Sequence, residues 1–146
     1  MLLEYSFLAI VVITCSLSII YCAVTGISPV PSLRNSKRNM FDLLPADFAG
    51  EVIDLSTGWG SLAFPLARKF PQSKVFAYEI SPVQWLAMQL RWLFQFCRNL
   101  IIERVNLLKK NFRFRVETKA VVCYLHSEAL EKLRLKLERD LELNTL

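Results

Sequence analysis

The chain has few of the residues that build metal sites or disulfide frameworks. Its 146 residues include one histidine, His126, and four cysteines, none of which belongs to a CxxC pair. Cys15 and Cys22 lie in an apolar run, while Cys97 and Cys123 lie in segments that the pattern predicts to be buried, so a disulfide framework is not expected. Structural zinc sites need four clustered ligands, usually cysteine or histidine. The sequence therefore predicts no metal site.

Long blocks of one charge sign are also missing. The formal net charge of +5 arises from 18 basic and 13 acidic residues, which are interleaved after the N-terminal region. Between 109 and 116, basic residues alternate with aromatic or apolar ones, a pattern typical of single-stranded nucleic-acid binding but also of a crossover segment with a solvated face. We favour the crossover and predict no nucleic-acid partner. The positive charge is expected to attract the chain to an anionic membrane surface.

Residues 5–24 form a stretch of twenty residues without a charge. At about 1.5 Å per residue, a helix of this length spans the roughly 30 Å hydrocarbon core of a bilayer. A cleaved signal peptide, the competing interpretation, would begin with basic residues and have a shorter apolar stretch, whereas only Glu4 precedes this one. The sequence therefore predicts a single transmembrane helix that is retained.

Basic residues begin after the apolar stretch, at Arg34, Lys37 and Arg38. Positively charged flanks stay on the cytoplasmic side of membranes, so the rest of the chain is expected on the cytoplasmic or an equivalent side. The intervening segment is rich in serine, proline and asparagine, as extended linkers are. The predicted organisation is an anchor over 1–26, a linker over 27–38 and a folded domain over 39–146.

Strand and helix patterns alternate along the predicted domain. The strands are short apolar runs of the kind that parallel sheets bury, and the alternation predicts an α/β fold, a Rossmann-like doubly wound parallel sheet with about four strands. After a short helix over 39–44, strands are predicted at about 51–55, 74–80, 99–107 and 120–125, with helices at about 61–70, 83–97 and 127–142. The pattern at residues 144–146 predicts the beginning of a fifth strand.

The predicted helix over 83–97 is more apolar than one buried face requires. Its large side chains include Trp85, Met88, Trp92, Phe94 and Phe96, and a sheet covers only one side of a helix. The surplus face is expected either to be covered by another helix of the same fold or to rest on the membrane or a partner, with the tryptophans at the interface level.

The most informative functional signal is the spacing between a glycine turn and a carboxylate. The first predicted strand runs into Asp54-Leu55-Ser56-Thr57-Gly58-Trp59-Gly60, and Glu79, nineteen residues after Gly60, ends the second strand. In doubly wound folds such a turn lets the backbone approach a nucleoside, while the carboxylate binds ribose hydroxyls. A nicotinamide or flavin dinucleotide site fits less well, because Ala63 stands where the GxGxxG pattern has its third glycine.

These motifs resemble those of class I S-adenosylmethionine-dependent methyltransferases, most closely the small membrane-anchored branch that includes mitochondrial protein-lysine methyltransferases and their bacterial relatives. The resemblance covers 29–146. Besides the turn, it rests on Pro29-Val30-Pro31-Ser32, on Tyr78-Glu79-Ile80-Ser81-Pro82, and on Val-Val-x-Tyr-Leu at 121–125 with the charged helix after it. It implies a membrane-anchored enzyme that uses S-adenosylmethionine to methylate a nitrogen of a protein near the bilayer.

The resemblance also implies which residues form the site. Glu79 would accept hydrogen bonds from both ribose hydroxyls, and Asn106 would pair with adenine. At the end of the fourth strand, Tyr124 and His126 are weak candidates for catalysis. The family's last strands have no counterpart in this sequence, so the alternative expectation is a truncated, inactive relic that acts at most as a membrane interaction module. The implied cofactor-binding residues are Asp54, Ser56, Gly58, Gly60, Glu79 and Asn106.

Overall fold

Short apolar strands separated by helical segments assemble one parallel sheet with helices on both faces. The computed structural model describes residues 2–25, 34–55, 57–107, 109, 112–123 and 127–140. In this part of the chain the helices and strands, in chain order, are α1 Leu2–Thr25, α2 Arg34–Asp42, β1 Glu51–Leu55, α3 Ala63–Lys69, β2 Lys74–Glu79, α4 Pro82–Phe94, β3 Leu100–Arg104, β4 Thr118–Cys123 and α5 Ser127–Asp140.

Strands β1 and β2 are the inner strands of this sheet, whose order is β3-β2-β1-β4. Every strand pairs in parallel with its neighbour, so that Leu55 lies opposite both Tyr78 and Cys123, and Glu79 lies opposite Arg104. Because the strands run the same way, their carboxyl ends meet at one edge of the sheet. The predicted Rossmann-like α/β fold with a preceding apolar helix is therefore confirmed.

The two faces of the sheet bury separate apolar clusters, because strand side chains alternate between faces. On one face, Val52 and Ala77 pack with the buried residues of α3 and with Met88 of α4. On the other face, Ile53 packs in a cluster that includes Leu133 of α5. Helices thus cover both faces of the sheet and leave its carboxyl edge for the turns that follow the strands.

Helix α3 is short and is held at its far end by Asn99. Pro65 is tolerated in its first turn because the amide that proline lacks would have no partner within the helix. The Nδ2 atom of Asn99 lies near three carbonyl oxygens, 2.9 Å from that of Ala67, 3.0 Å from that of Phe70 and 2.9 Å from that of Ser73. A helix of two turns is marginal in isolation, so Asn99 fixes its carboxyl end beside β3.

Helix α1 is apolar and lies outside both clusters. Its window Leu3–Ile20 has a mean hydropathy of 2.1 and is 0% buried. A helix of this length and composition fits a membrane span, and it also fits a signal sequence. The hydroxyls of Thr14 and Ser18 donate to the carbonyl oxygens of Ile10 and Thr14 at 2.7 and 3.0 Å. These two hydroxyls therefore have partners within the helix, as an apolar environment requires.

The largest differences between predicted and observed helix boundaries occur at the start of α2 and at the end of α4. Helix α2 begins at Arg34, five residues earlier than predicted and inside the segment expected to be a linker. Helix α4 ends at Phe94 rather than at 97, since Gln95 leaves helical geometry with φ −122°. The Oε1 atom of Gln95 accepts a hydrogen bond from Nε of Arg91 at 3.1 Å and another from Arg68 at 2.9 Å, which stabilises the end of the helix.

The largest shifts of strand boundaries are two and three residues. Strand β3 ends at 104 rather than at 107, and β4 begins at 118 rather than at 120, because Thr118 already pairs with Glu51. Two sequence-based expectations, the fifth strand at 144–146 and the role of the proline-serine segment at 29–32, lie outside the described residues.

Candidate functional site

Hydrogen bonds of Thr57 close the turn after β1. Its amide donates to the carbonyl oxygen of Tyr78 at 3.0 Å, which extends the pairing of β1 and β2 by one step. Its hydroxyl donates to the carbonyl oxygen of Asp54 at 3.1 Å, and its own carbonyl accepts from the amide of Gly60 at 3.1 Å. The chain therefore reverses at the carboxyl edge of the sheet, where open α/β sheets bind their ligands.

Both glycines of the turn have left-handed backbone conformations, with φ of 60° at Gly58 and 75° at Gly60. Side chains other than glycine rarely adopt these angles. A Cβ atom at Gly60 would lie 2.7 Å from the ring of Phe64, whereas a Cβ atom at Gly58 would have nothing within 4 Å. Gly60 is thus required by packing as well as by backbone angle, and Gly58 faces open space into which a ligand can fit.

The carboxylate of Glu79 ties the glycine turn to the end of β2. Its Oε2 atom accepts from the amide of Gly58 at 2.7 Å, and its Oε1 atom accepts from the amides of Ile80 and Ser81 at 2.9 Å each. The side chain is 2% exposed, and burial raises the pKa of Glu79 above its ordinary value although the three amides oppose the shift. Each carboxylate oxygen has two lone pairs, so Oε2 retains one for a further donor.

Asp54 carries a carboxyl group that is buried and incompletely paired. The residue is 2% exposed, and its Oδ2 atom is buried without a hydrogen-bond partner. Burial raises the pKa of Asp54 to about 8, because the nearby Thr57 hydroxyl and the Ala63 amide compensate only in part and the neighbouring Glu79 repels its negative charge. Buried polar atoms are rarely left unpaired, so this oxygen is suited to a ligand with a cationic or hydrogen-bond donor group.

Arg91 of α4 supports the turn from its outer side. Its NH1 atom donates to the carbonyl oxygen of Trp59 at 3.0 Å, and its guanidinium carbon lies 4.4 Å from the ring centroid of Phe64. The sequence interpretation assigned neither Arg91 nor Thr57 to the site. A lone charged residue within the apolar α4 was the available signal for Arg91, whereas the bonds of Thr57 depend on the pairing of β1 with β2.

Of the sequence-predicted residues, Asp54, Gly58, Gly60 and Glu79 lie together at the carboxyl edge of β1 and β2. Asn106 belongs to the same edge, since it follows β3 two residues after Arg104, the ladder partner of Glu79. Ser56, Tyr124 and His126 lie outside the described residues.

This edge presents hydrogen-bond acceptors and open backbone rather than a metal-binding group. Among the described residues, no cluster of three histidine, cysteine or acidic side chains is arranged to hold a metal ion. The free oxygen of Asp54 and the remaining lone pair of Glu79 instead suit a ligand that carries both amino and hydroxyl donors. An amino acid joined to a nucleoside has these two kinds of donor.

Several solved structures that are similar to this one are methyltransferases. An RNA methyltransferase from Salinibacter ruber, in complex with S-adenosyl-L-homocysteine, aligns with 77% of this chain and 72% of its own at a TM-score of 0.66 and 21% identity. The glycopeptide N-methyltransferase MtfA, in complex with S-adenosyl-L-methionine, aligns with 73% of this chain and 48% of its own at a TM-score of 0.56 and 19% identity. The chain therefore has the fold of class I S-adenosylmethionine-dependent methyltransferases.

A curated relative supports the likeness at the level of sequence. A release factor glutamine methyltransferase from Koribacter versatilis is 39% identical over 54 residues. The match covers 37% of this chain and 19% of that protein, so it spans only about a fifth of the relative's length. No known protein-family profile matches the sequence.

Proposed function

We propose that this protein binds S-adenosylmethionine and transfers its methyl group to a nitrogen of a protein near a membrane. The observation that carries the proposal is the unpartnered Oδ2 atom of Asp54, buried beside a glycine turn in a methyltransferase fold. S-adenosylmethionine would supply an activated methyl group on a positively charged sulfur. The chain's own residues would bind and orient it, because positioning provides much of the rate of such a transfer.

Each residue at the edge has a distinct proposed part in binding. Asp54, once ionised, would pair with the ammonium of the amino-acid part. Gly58 would leave room for the ligand, as the open space at its α-carbon supports. The free lone pair on Oε2 of Glu79 would accept one ribose hydroxyl while the carboxylate keeps its bond to the Gly58 amide. Asn106 would pair with the adenine amino group, and the part of Ser56 remains a sequence-based expectation.

The geometry favours a specific revision of the role of Glu79. Three amides already use most of its acceptor capacity, so a carboxylate that binds both ribose hydroxyls would first have to release one of them. We therefore propose one direct bond to the ribose and a second function, the positioning of the Gly58 amide. The proposed role is binding and positioning, without proton transfer.

The proposed acceptor is a protein nitrogen, and the proposed place is a bilayer. The relative from Koribacter versatilis is named for a glutamine acceptor and MtfA for N-methylation, which supports nitrogen as the methylated atom. The apolar α1 supports a membrane anchor, and the basic residues after it support a cytoplasmic or equivalent location for the domain. Tyr124 and His126 remain the candidates for removing a proton from the acceptor.

Calorimetric titration tests the binding step. S-adenosylhomocysteine is titrated into the full chain in detergent, with Glu131→Gln as a control for charge loss, since Glu131 is exposed on α5. Wild type and Glu131→Gln are expected to bind alike. Asp54→Asn is expected to bind about tenfold to a hundredfold more weakly, as a charge-assisted hydrogen bond contributes about 1.5–3 kcal/mol. Absence of heat for the wild type at millimolar ligand would exclude this binding function.

Methyl transfer is tested separately. Membranes that contain the full chain are incubated with S-adenosylmethionine labelled in its methyl group, with Asp54→Asn membranes as the control. Label is expected in protein, to be stable in mild alkali because it is on nitrogen, and to be much reduced in the variant. Binding without any labelled product would instead favour the second candidate, a non-catalytic membrane module, for which the exposed apolar face of α4 is the supporting observation.

A further inference from the structure

Helix α4 presents an apolar stripe to its surroundings. Leu86, Leu90, Leu93 and Phe94 are 53%, 52%, 67% and 89% exposed, and Phe96, just beyond the helix, is 60% exposed. Leu90 follows Leu86 by four residues, and Leu93 and Phe94 follow Leu90 by three and four, so these helical positions share one face. We call these five residues the α4 stripe. A contiguous apolar patch of this kind marks an interaction surface rather than ordinary solvent-exposed surface.

The opposite side of α4 is already used by the fold. Met88 is fully buried in the cluster between α4 and the sheet, and Gln84 is buried as well. The α4 stripe is therefore surplus to the packing of the domain. Among the described residues the α4 stripe stays exposed, so cover by another helix of the same fold, one of the two alternatives of the sequence analysis, is not seen in this part of the chain.

The charges around the α4 stripe favour a negatively charged surface. No acidic residue occurs between Glu79 and Glu103. The same segment contains Arg98, whose side chain is exposed, and Arg91, which already contacts the glycine turn. Anionic lipid headgroups attract basic side chains at about 1 kcal/mol each near the surface. Leucine and phenylalanine beside arginine are also the side chains with which amphipathic helices enter the headgroup boundary of a bilayer.

The position of α4 in the fold points to the same occupant. Helices α1 and α4 contact each other, and α1 contains the apolar window that fits a membrane span. A bilayer that holds α1 is therefore the apolar phase nearest to the α4 stripe.

We propose that the α4 stripe lies in the headgroup boundary of the bilayer that holds α1, so that the domain is attached to lipid at two places. This inference rests on the membrane anchoring in the proposed function. It also places the candidate site near lipid, because α4 begins three residues after Glu79. The substrate class that this geometry favours is a protein segment at the membrane surface, close enough to the bilayer to enter the candidate site.

Site-directed spin labelling of the full chain tests the proposal. The four native cysteines are replaced by alanine, and a nitroxide is attached at Leu90→Cys, at the matched exposed helical position Leu130→Cys of α5, or at Leu8→Cys of α1. The proteins are reconstituted into vesicles of phosphatidylcholine and phosphatidylglycerol. Power saturation then compares collisions of each label with oxygen, which concentrates in lipid, and with a nickel chelate, which stays in water. Circular dichroism confirms that each labelled chain is folded.

The Leu90 and Leu8 labels are expected to favour oxygen, and the Leu130 label is expected to favour nickel, with oxygen-to-nickel ratios that differ severalfold. A Leu90 label that behaves like the Leu130 label while the Leu8 label is in lipid would overturn the inference and leave the anchor intact. A nickel-accessible Leu8 label would refute the anchor itself. Dipolar broadening at Leu90 would identify a second copy as the occupant, and protection from both reagents would identify another protein, so either result would also overturn the proposal.

Discussion

Ligand binding at the carboxyl edge of β1 is expected to depend steeply on pH, because Asp54 must lose a proton before it can pair with an ammonium group. Burial raises the pKa of Asp54 to about 8 in the free chain. At pH 7 about one tenth of the chains would then carry an ionised Asp54, and at pH 6 about one hundredth. Affinity for S-adenosylhomocysteine is therefore expected to rise close to tenfold between pH 6 and pH 7.

Above pH 7.5 the increase is expected to flatten. Once the pH exceeds the pKa of about 8, most chains carry an ionised Asp54, so a further rise in pH adds little. At still higher pH the ligand's own amino group loses its proton and no longer attracts the carboxylate, so affinity is expected to fall again. A site whose carboxylate had the ordinary Asp pKa of 3.8 would show almost no change between pH 6 and pH 7.

Calorimetry in buffers of different ionisation enthalpy measures the proton directly. At pH 7 the wild-type chain is expected to release nearly one proton for each ligand bound, because complex formation converts a protonated Asp54 into a carboxylate. Asp54→Asn is expected to bind weakly and to release none. Binding that is independent of buffer and equally tight at pH 6 and pH 7 would refute the assignment of Asp54 to the ammonium.

The same carboxyl group sets the sign of a stability change. Because its folded pKa of about 8 exceeds the unfolded value of 3.8, the folded state holds the extra proton between these values, and the free energy of unfolding falls as pH rises from about 4 to about 8. Asp54→Asn removes this loss of stability at high pH, because the asparagine side chain does not ionise. The variant is expected to melt at a higher temperature than the wild type at pH 8, with a gap that shrinks towards pH 5. A gap that grows towards low pH would contradict the raised pKa.

Two matched pairs of substitutions test the turn and the core. Gly58→Ala is expected to cost about 1 kcal/mol of stability because of the positive φ, and to abolish S-adenosylhomocysteine binding. Gly60→Ala is expected to cost about 2 kcal/mol or more, since its Cβ would also lie 2.7 Å from Phe64. Thermal melts measure the loss of stability of both variants, and titrations measure the loss of binding. Leu133 is fully buried, so Leu133→Ala is expected to lower the free energy of unfolding in urea by about 2–5 kcal/mol. Leu130→Ala, on the same helix, is expected to lower it by well under half of that. Equal losses would refute the packing of α5 on the sheet through Leu133.

Strand positions followed from the sequence because buried parallel strands are short apolar runs between turn signals. The pattern located β1 and the start of β2 to the residue. Helix ends were less predictable, since α4 ends where Gln95 finds two arginine donors, and one of these, Arg68, is distant in sequence. The start of β4 likewise depends on its pairing with Glu51, which no local pattern contains.

The positions of the two carboxylates of the site could be predicted from spacing, but their hydrogen-bond partners could not. Spacing put Asp54 and Glu79 at neighbouring strand ends, which the structure bears out in position. That Glu79 holds the Gly58 amide, and that an oxygen of Asp54 stays unpaired, depends on the turn's backbone angles and on burial. These arise only after the strands pair, so residue identity and spacing alone do not encode them.

Asn99 gives the chain a place where ligand affinity can change without any change in the ligand's contacts. Its amide joins the end of α3 to the start of β3 at the amino edge of the sheet, while the glycine turn precedes α3 at the opposite edge. A substitution such as Asn99→Ser would let the short helix tilt and would thereby shift the turn. A laboratory selection for tighter or weaker binding is therefore expected to yield substitutions around Asn99, in residues that lie away from the binding site.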